Sequence, residues 1–354
     1  MINTSLIIPL FNEEKNIINL IETIENQTIK PNEIIFVNAG STDNVADDPG
    51  NANVVGSRSY LLSYSTGTGN TAPNGSSTNV AFTTVTDKIT DQILSSPNKR
   101  VKIIGNFGVG FNNIDIDSAK KNNLVVTNTP EVLTDCTADI AMLLMLGSAR
   151  RGSEGEYHVR KTEWDGWRPT HMMGTKVTGK TLGLIGMGRI AQAMAQKSHF
   201  GFNMKIIFHD PYFKDESIIT KFKAERCESI DELLSKSDFV SLHCPSTKET
   251  QGLINYKSLS KMRSSAYLIN TARGDIVVED DLAKALNEKI IMGAGLDVYE
   301  MEPKVNEKLL KLKNVFLLPH LGSATNETRE AMGMRVLENV KSFFNGSEPR
   351  DRVV

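Results

Sequence analysis

Apolar and polar positions along the chain follow two periods. An apolar run at 5 to 10 precedes Asn12, Glu13 and Glu14, a helix cap followed by acids in the first turn. Ile17, Ile21 and Ile24 then recur at helical spacing, until Pro31 and Asn32 interrupt them before the buried-strand run EIIFV at 33 to 37 and the loop NAGSTDN. This predicts one strand, helix, strand unit. From Ala46 to Asn79 the pattern lapses: 20 of these 34 residues are Gly, Ser, Thr or Asn, and YLLSY at 60 to 64 is the one strand candidate. Such a stretch can bury little apolar surface, which predicts a long loop or partial disorder.

Alternation resumes at Val80. Strands are predicted at NVAFTTV, VKIIGNF and LVVTNTP, helices at TDKITDQILSS and IDSAKKN, and a long helix from about Leu133 to Arg151. The second half repeats the two periods with greater regularity. KTLGLIG, MKIIFHD, DFVSLHCP, AYLINTAR, GAGLDVY and VFLLPHLG read as strands, separated by helical segments such as IAQAMAQKSHF, SIDELLSK, SLSKM and EDDLAKALNEK. Strands this apolar, alternating with helices, predict an α/β protein with a doubly wound parallel sheet covered on both faces.

In such a sheet, ligands bind beyond the carboxyl ends of the strands, where helix N-termini and loops converge. The polar or small residues at those ends are Gly186 with Gly188, then Asp210, His243, Arg273, Asp297 and His320. The first pair opens GMGRIA, in which Gly186 permits a tight turn, Gly188 lets backbone amides approach a pyrophosphate, and Ala191 lets the helix pack on the strand. Asp210 lies 19 residues after Ala191, at the end of the next strand. An aspartate there accepts from both ribose hydroxyls of an adenosine and repels a 2′-phosphate, which predicts NAD over NADP. Pro211 and Tyr212 offer no arginine for that phosphate, and Lys214 is the nearest cation in sequence. His243, before Cys244 and Pro245, suits an adenine pocket better than proton transfer.

Composition narrows the partners. Forty basic and 42 acidic side chains give a formal charge of −2, with no long run of either sign, so a nucleic acid or anionic membrane partner is not expected and a small metabolite is. Cys136, Cys227 and Cys244 are too few for a disulfide framework and too far apart for metal-ligand spacing. The most apolar stretch, IAMLLML at 140 to 146, is far shorter than the roughly 20 residues that cross a bilayer. Glu13 and Glu14 stand where a signal peptide would be basic and apolar. A cytoplasmic protein is expected.

Three further residues carry reactive chemistry: Arg273 in NTARGD, Glu302 in DVYEMEP and His320 in PHLGSAT. Reducing a 2-oxo acid requires a carboxylate clamp, a hydride donor over the carbonyl and a proton for the developing alkoxide. Arginine's planar fork suits the clamp, histidine the proton, and a carboxylate beside the histidine favours the imidazolium and fixes the ring.

The motifs NFGVGFNNIDIDSAKKNNLVVTNTP, WDGWRPTHMMGTKVTGKTLGLIGMGRI, HCPST, NTARGD, GAGLDVYEMEP and LPHLGSATNETR, in this order, resemble the D-2-hydroxyacid dehydrogenase family, and among its members the glyoxylate and hydroxypyruvate reductases. The resemblance runs from about residue 84 to the end. It implies Arg273 as binder of the substrate carboxylate and carbonyl, His320 as acid/base and Glu302 as its paired carboxylate, with the backbone of Val109 and Gly110 holding the substrate carboxylate. For the cofactor it implies Thr137 at the nicotinamide-side phosphate, Arg189 and Ile190 at the pyrophosphate, and Thr271 with Asp297 at the nicotinamide. Pro245, Ala272 and Ser323 complete that set, and no metal is implied. It further implies a homodimer packed through 133 to 176, which includes Trp164 and Trp167, and two α/β domains: a Rossmann-type NAD-binding domain over 131 to 318 and a flavodoxin-like substrate domain over 80 to 130 and 319 to 354.

The front departs from that family. Residues 5 to 44 resemble the opening of a family 2 glycosyltransferase, with Pro9, Asn12, Glu13 and the Ser-Thr-Asp loop at 41 to 43 in place, Asn38 where an aspartate is usual, and no Asp-x-Asp motif after it. The substrate domain is therefore expected to have an atypical first portion: a βαβ fragment over 1 to 45 and a low-complexity loop over 46 to 79. The alternatives to a working reductase are an NAD-binding regulatory protein without turnover, a sugar transferase, and a chimeric chain of impaired activity.

Overall fold

The computed structural model describes residues 80–96 and 101–354, together with the backbone of three strands nearer the N-terminus. Those strands are β1 (Ser5–Leu10), β2 (Glu33–Asn38) and β3 (Tyr60–Tyr64). The helix expected from Asn12 and most of the 46 to 79 loop lie outside the described residues. There follow β4 (Val80–Thr84), α1 (Asp91–Leu94), β5 (Ile103–Phe107), α2 (Ile116–Lys121), β6 (Val125–Thr127), α3 (Thr134–Ala149) and α4 (Gly152–Arg160). The second half contains β7 (Thr181–Ile185), α5 (Arg189–Gln196), β8 (Lys205–His209), α6 (Glu216–Phe222), β9 (Glu225–Arg226), α7 (Ile230–Lys236) and β10 (Phe239–Leu242). It continues through α8 (Tyr256–Leu259), β11 (Tyr267–Asn270), α9 (Glu279–Asn287), β12 (Gly293–Leu296), α10 (Glu307–Leu310), β13 (Val315–Leu317) and α11 (Asn326–Phe344).

The chain divides into two compact units, residues 1–130 with 330–354 and residues 131–329. In the first, β1 and β2 pair in parallel, as a strand, helix, strand unit requires, and β3 adds to β2 antiparallel. Strands β4, β5 and β6 form a second, wholly parallel sheet. Period-two alternation sends Ile104 to one face, with Leu94, Ile114, Ala119 and Val126, and Ile103 to the other, with Val80, Val125, Val336 and Val340. The helix expected over TDKITDQILSS shrinks to the four residues of α1. Asp87 accepts from the Thr84 amide at 2.6 Å and its hydroxyl at 2.9 Å, and Ile89 pairs with Ile114, so a turn and a bridge use the backbone a longer helix would need.

The second unit is a seven-stranded parallel sheet of order β13-β12-β11-β10-β7-β8-β9. The chain builds outward from β7 through β8 to β9, then returns to the other side of β7 and builds β10 to β13, so the topological switch point lies between β7 and β10. Both faces are covered. One cluster gathers Leu234, Val240, Leu268, Leu282, Leu286 and Ile291, and the other gathers Leu144, Met145, Leu182, Phe208, Phe239 and Ile269. Helix α3 approaches β12 closely because Gly295 has no side chain: a Cβ there would lie 2.8 Å from that of Leu144.

Residues 319–329 belong with this second unit rather than with the substrate domain in which the family pattern places them. The reason is local. The Asp297 carboxylate accepts from the amides of Leu321 at 2.6 Å and Gly322 at 2.8 Å, while the Thr137 hydroxyl donates to the Gly322 carbonyl at 3.0 Å. Among the described residues no helix is long and apolar enough to cross a membrane, and no group of three His, Cys, Asp or Glu could hold a metal.

Candidate active site

All seven strands of the second unit run the same way, so the residues that follow β7, β8, β10, β11, β12 and β13 emerge at one edge. The turn after β7 begins with Gly186 at φ +90°, a conformation glycine adopts without the clash a Cβ brings. A Cβ there would also lie 2.9 Å from the Cys244 nitrogen and the His243 carbonyl carbon, since this turn crosses the switch point against the end of β10. Gly188 is the N-cap of α5; no side chain caps it, and a Cβ on it would meet nothing within 4 Å. Ala191 is fully buried under the helix. Open space in front of an uncapped helix N-terminus fits a pyrophosphate, whose charge the amides and helix dipole favour.

Asp210 accepts from the Met187 amide at 2.8 Å with one oxygen, and from those of Tyr212 and Phe213 at 2.9 and 3.1 Å with the other. It thereby ties the glycine turn to the end of β8. The sequence left Lys214 as the nearest cation, and here the structure differs. Arg226, on β9, donates to the carbonyls of Asp210 at 2.9 Å and Phe213 at 2.6 Å, and stacks 5.0 Å over the Phe208 ring. An arginine 16 residues away in sequence is brought beside Asp210 because β8 and β9 pair.

His243 follows β10. Its Nε2 lies 2.9 Å from the Ser241 hydroxyl and 3.3 Å from the Met194 sulfur, and burial pushes its pKa down to about 4. The ring is neutral near pH 7 and unsuited to carrying a catalytic proton. Pro245 is exposed, and its carbonyl accepts from the Thr250 hydroxyl at 2.6 Å.

The turn after β11 is organised by Asn270, which is 1% exposed: its Oδ1 accepts from the Ala272 amide at 3.0 Å and its Nδ2 donates to the Arg273 carbonyl at 2.9 Å. The Thr271 hydroxyl beside it is buried with no partner among the described residues, as expected of a group reserved for a ligand. Arg273 is half-buried, and loss of solvent lowers its pKa while the carboxylates of Glu302 and Asp275 act to raise it; an arginine so placed stays charged. Its Nη1 donates to the Ala272 carbonyl at 2.7 Å.

Glu302 and His320 meet. Glu302 Oε2 lies 2.8 Å from His320 Nδ1, and Oε1 accepts from the Tyr299 amide at 3.0 Å. Burial disfavours the Glu302 carboxylate, but the bond to His320, that residue's charge, the Tyr299 amide and Arg273 outweigh it and hold the carboxyl below its ordinary value. His320 sits at φ +55°, and its Nε2 makes no hydrogen bond among the described residues. Asp297, 1% exposed, supports the loop from beneath; burial raises its carboxyl, against the amides of Leu321 and Gly322 and the His320 charge. A positioned imidazole with a carboxylate behind it and a free second nitrogen is an acid/base device.

Thr137, on α3, joins this loop through Gly322, and Ser323 follows it. Arg189 opens α5 with its guanidinium 3.6 Å from Glu131, and Ile190 is its half-buried neighbour. In the first unit, Val109 and Gly110 form the loop after β5. The carbonyls of Gly108, Val109 and Gly110 accept from the Thr129 amide at 3.0 Å, Asn128 Nδ2 at 2.8 Å and Asn106 Nδ2 at 2.9 Å. The amides of Val109 and Gly110 donate to nothing among the described residues. Sequence reasoning singled out neither asparagine, nor Asn270 or Glu279, whose carboxylate accepts from the Glu300 amide at 2.9 Å. For Asn106 and Asn270 a signal existed, an amide in the last turn of an otherwise apolar strand.

Residues 142–322 match the family described as D-isomer specific 2-hydroxyacid dehydrogenase, NAD binding domain, and residues 5–47 match glycosyl transferase family 2. The chain is 48% identical to a glyoxylate reductase of Thermococcus litoralis over 77% of this chain and 82% of the relative. A glyoxylate reductase structure from Paecilomyes thermophila aligns at TM-score 0.72 and 33% identity, covering 78% of this chain and 84% of that one. The glyoxylate/hydroxypyruvate reductase of Sinorhizobium meliloti, solved with NADP and malonate, aligns at TM-score 0.77 and 28% identity, covering 100% and 97%. With a glycine turn at the switch point and a paired histidine and glutamate at the same sheet edge, the chain belongs to the D-isomer specific 2-hydroxyacid dehydrogenase family, nicotinamide-dependent oxidoreductases that act on a CH–OH group.

Proposed function

We propose that this protein reduces glyoxylate or a close 2-oxo acid such as hydroxypyruvate, with NADH as the reductant and His320 as the proton donor. The observation that carries the reading is the 2.8 Å contact between Glu302 and His320, with Nε2 of the ring left open. When bound, the nicotinamide supplies the hydride that reduces the carbonyl carbon. The chain's own residues do the rest. Arg273 binds the carboxylate and polarises the carbonyl, and His320 Nε2 gives its proton to the forming alkoxide while Glu302 stabilises the imidazolium at Nδ1. The open amides of Val109 and Gly110 support reading them as donors to the substrate carboxylate, and with them a substrate-binding role for 80–130 with the C-terminal segment.

Gly186, Gly188, Arg189 and Ile190 hold the pyrophosphate, Thr137 and Ser323 the nicotinamide-side phosphate, His243 and Pro245 the adenine side, and Thr271, Ala272 and Asp297 the nicotinamide. Preference for NADH rests on Asp210, whose charge opposes a 2′-phosphate, and on Arg226, whose fork is committed to two carbonyls. A homodimer is supported by the exposed apolar side chains of Tyr157, Trp164, Trp167 and Met173 within 152–176. Three free cysteines accord with a reducing cytoplasm.

The test is a steady-state assay of the full chain against a panel of short 2-oxo acids with NADH and NADPH. Oxidation of NADH with glyoxylate, abolished by His320→Ala and Arg273→Ala, is expected. No turnover of any short 2-oxo acid refutes the reading, and a preference for NADPH refutes the cofactor part alone.

A further inference from the structure

Glu279 lies outside every motif used so far. It is the first residue of α9, it is 5% exposed, and no lysine or arginine pairs with it among the described residues. A buried carboxylate without a cation is costly unless backbone donors compensate. One does so in part: the Glu300 amide donates to its Oε1 at 2.9 Å, while burial still raises the carboxyl above its ordinary value. The N-terminus of α9 adds a favourable dipole. The Glu300 amide stands two residues before Glu302, so one buried side chain holds the entry to the loop that carries the catalytic carboxylate.

The same junction touches Arg273. A Cβ on Gly274 would overlap the carbonyl carbon of Tyr299, so the peptide joining Tyr299 to Glu300 packs directly on the backbone next to Arg273. Its amide is the one Glu279 holds, and the Tyr299 amide before it is the one Glu302 accepts from. Arg273, Glu302 and, through Glu302, His320 are thereby registered against one peptide.

We propose that Glu279 is a positioning residue for the reaction: by holding the amide of Glu300 it keeps Glu302 at hydrogen-bond distance from His320. Glu279 touches neither substrate nor cofactor. This rests on the reading of Glu302 and His320 as the acid/base pair.

The experiment is a double-mutant cycle on the full chain, with glyoxylate and NADH, combining Glu279→Ala with Glu302→Gln. Glu279→Ala alone is expected to lower kcat by about ten- to a hundredfold, the scale of a displacement near 1 Å at a reacting group, with the NADH dissociation constant unchanged. In the Glu302→Gln background the same change is expected to lower kcat by no more than about twofold, because the interaction it acts through is already gone. A merely structural role lowers activity equally in both backgrounds, and that result overturns the proposal, as does an unchanged kcat in Glu279→Ala. Should Glu279→Ala fail to fold, Glu279→Gln carries the cycle. It keeps an acceptor for the Glu300 amide, so a smaller loss with the same dependence on Glu302 is expected, and equal losses in both backgrounds again overturn the proposal. A wild-type chain that reduces no 2-oxo acid defeats the acid/base reading and the proposal with it, whereas a normal wild type with additive variants defeats the proposal alone.

Discussion

Replacing Glu302 with glutamine tests the acid/base pair most directly. The Tyr299 amide, 3.0 Å from Oε1, orients the new side chain, because the amide oxygen must face that donor. The amide nitrogen then faces His320 Nδ1, where the wild type offers a carboxylate oxygen at 2.8 Å. A donor at that place favours the imidazole tautomer protonated on Nε2. That tautomer can hydrogen-bond a carbonyl, but giving up its proton would leave an imidazolate. The cost has two parts. The lost charge-assisted bond is worth about 1.5 to 3 kcal/mol, roughly one to two powers of ten in rate. The wrong tautomer raises the total to the range of a whole general acid, about 10² to 10⁴ in kcat. The assay is NADH oxidation with saturating glyoxylate from pH 5 to 9, with cofactor binding followed by fluorescence. Because the Glu302 carboxyl lies below its ordinary value, the stability it contributes is complete above that value, about pH 4.3, and is lost only as pH falls through the lower folded one. Its charge is therefore constant across the assay, and the deficit of the variant is expected at every pH in it. A kcat within about threefold of wild type throughout would refute the pairing as a catalytic arrangement.

Two further outcomes follow from the dinucleotide turn. Gly186→Ala places a Cβ at φ +90° and 2.9 Å from the Cys244 nitrogen, so urea unfolding should register a loss of about 1 to 3 kcal/mol and NADH titration a marked weakening; an alanine variant with normal affinity contradicts the geometry of the switch point. Asp210→Ser removes the charge that opposes a 2′-phosphate, and the ratio of kcat/KM for NADPH over NADH should rise by about tenfold or more, whereas an unchanged ratio means that another group sets the preference.

The parallel sheet of the second unit was legible because its strands are buried on both faces, and such strands announce themselves as apolar runs whatever surrounds them. Its reactive edge was legible for the same reason: once every strand runs one way, the residues that end the runs share an edge. What was hidden depends on partners distant in sequence. Arg226 reaches Asp210 only through the pairing of β8 with β9, a strand of two residues that no periodicity reveals. The helix over TDKITDQILSS was overestimated because Asp87 and Ile89 bond elsewhere, and spacing alone does not register such competition. Helix α6, which Asp215 caps through the Ser217 amide, has too short an apolar stripe between polar turns to stand out by spacing.

The glycosyltransferase-like front raises the question of what an exchanged segment can disturb. Every group assigned here to proton transfer and to cofactor binding lies within residues 131–329, and the loops that carry them are fixed from inside that unit: Asn270 holds the Arg273 turn, Asp297 the His320 loop, and Glu279 the Glu302 loop. Each of these holders is a buried polar side chain near or after the carboxyl end of a strand or at the first turn of a helix. Each bonds backbone groups, so the geometry it enforces depends on local chain path more than on neighbouring side-chain volume. The glycine turn is likewise closed by β7, β8 and β10 alone. The hydrogen bonds that set the Glu302–His320 contact and the glycine turn thus all come from within residues 131–329.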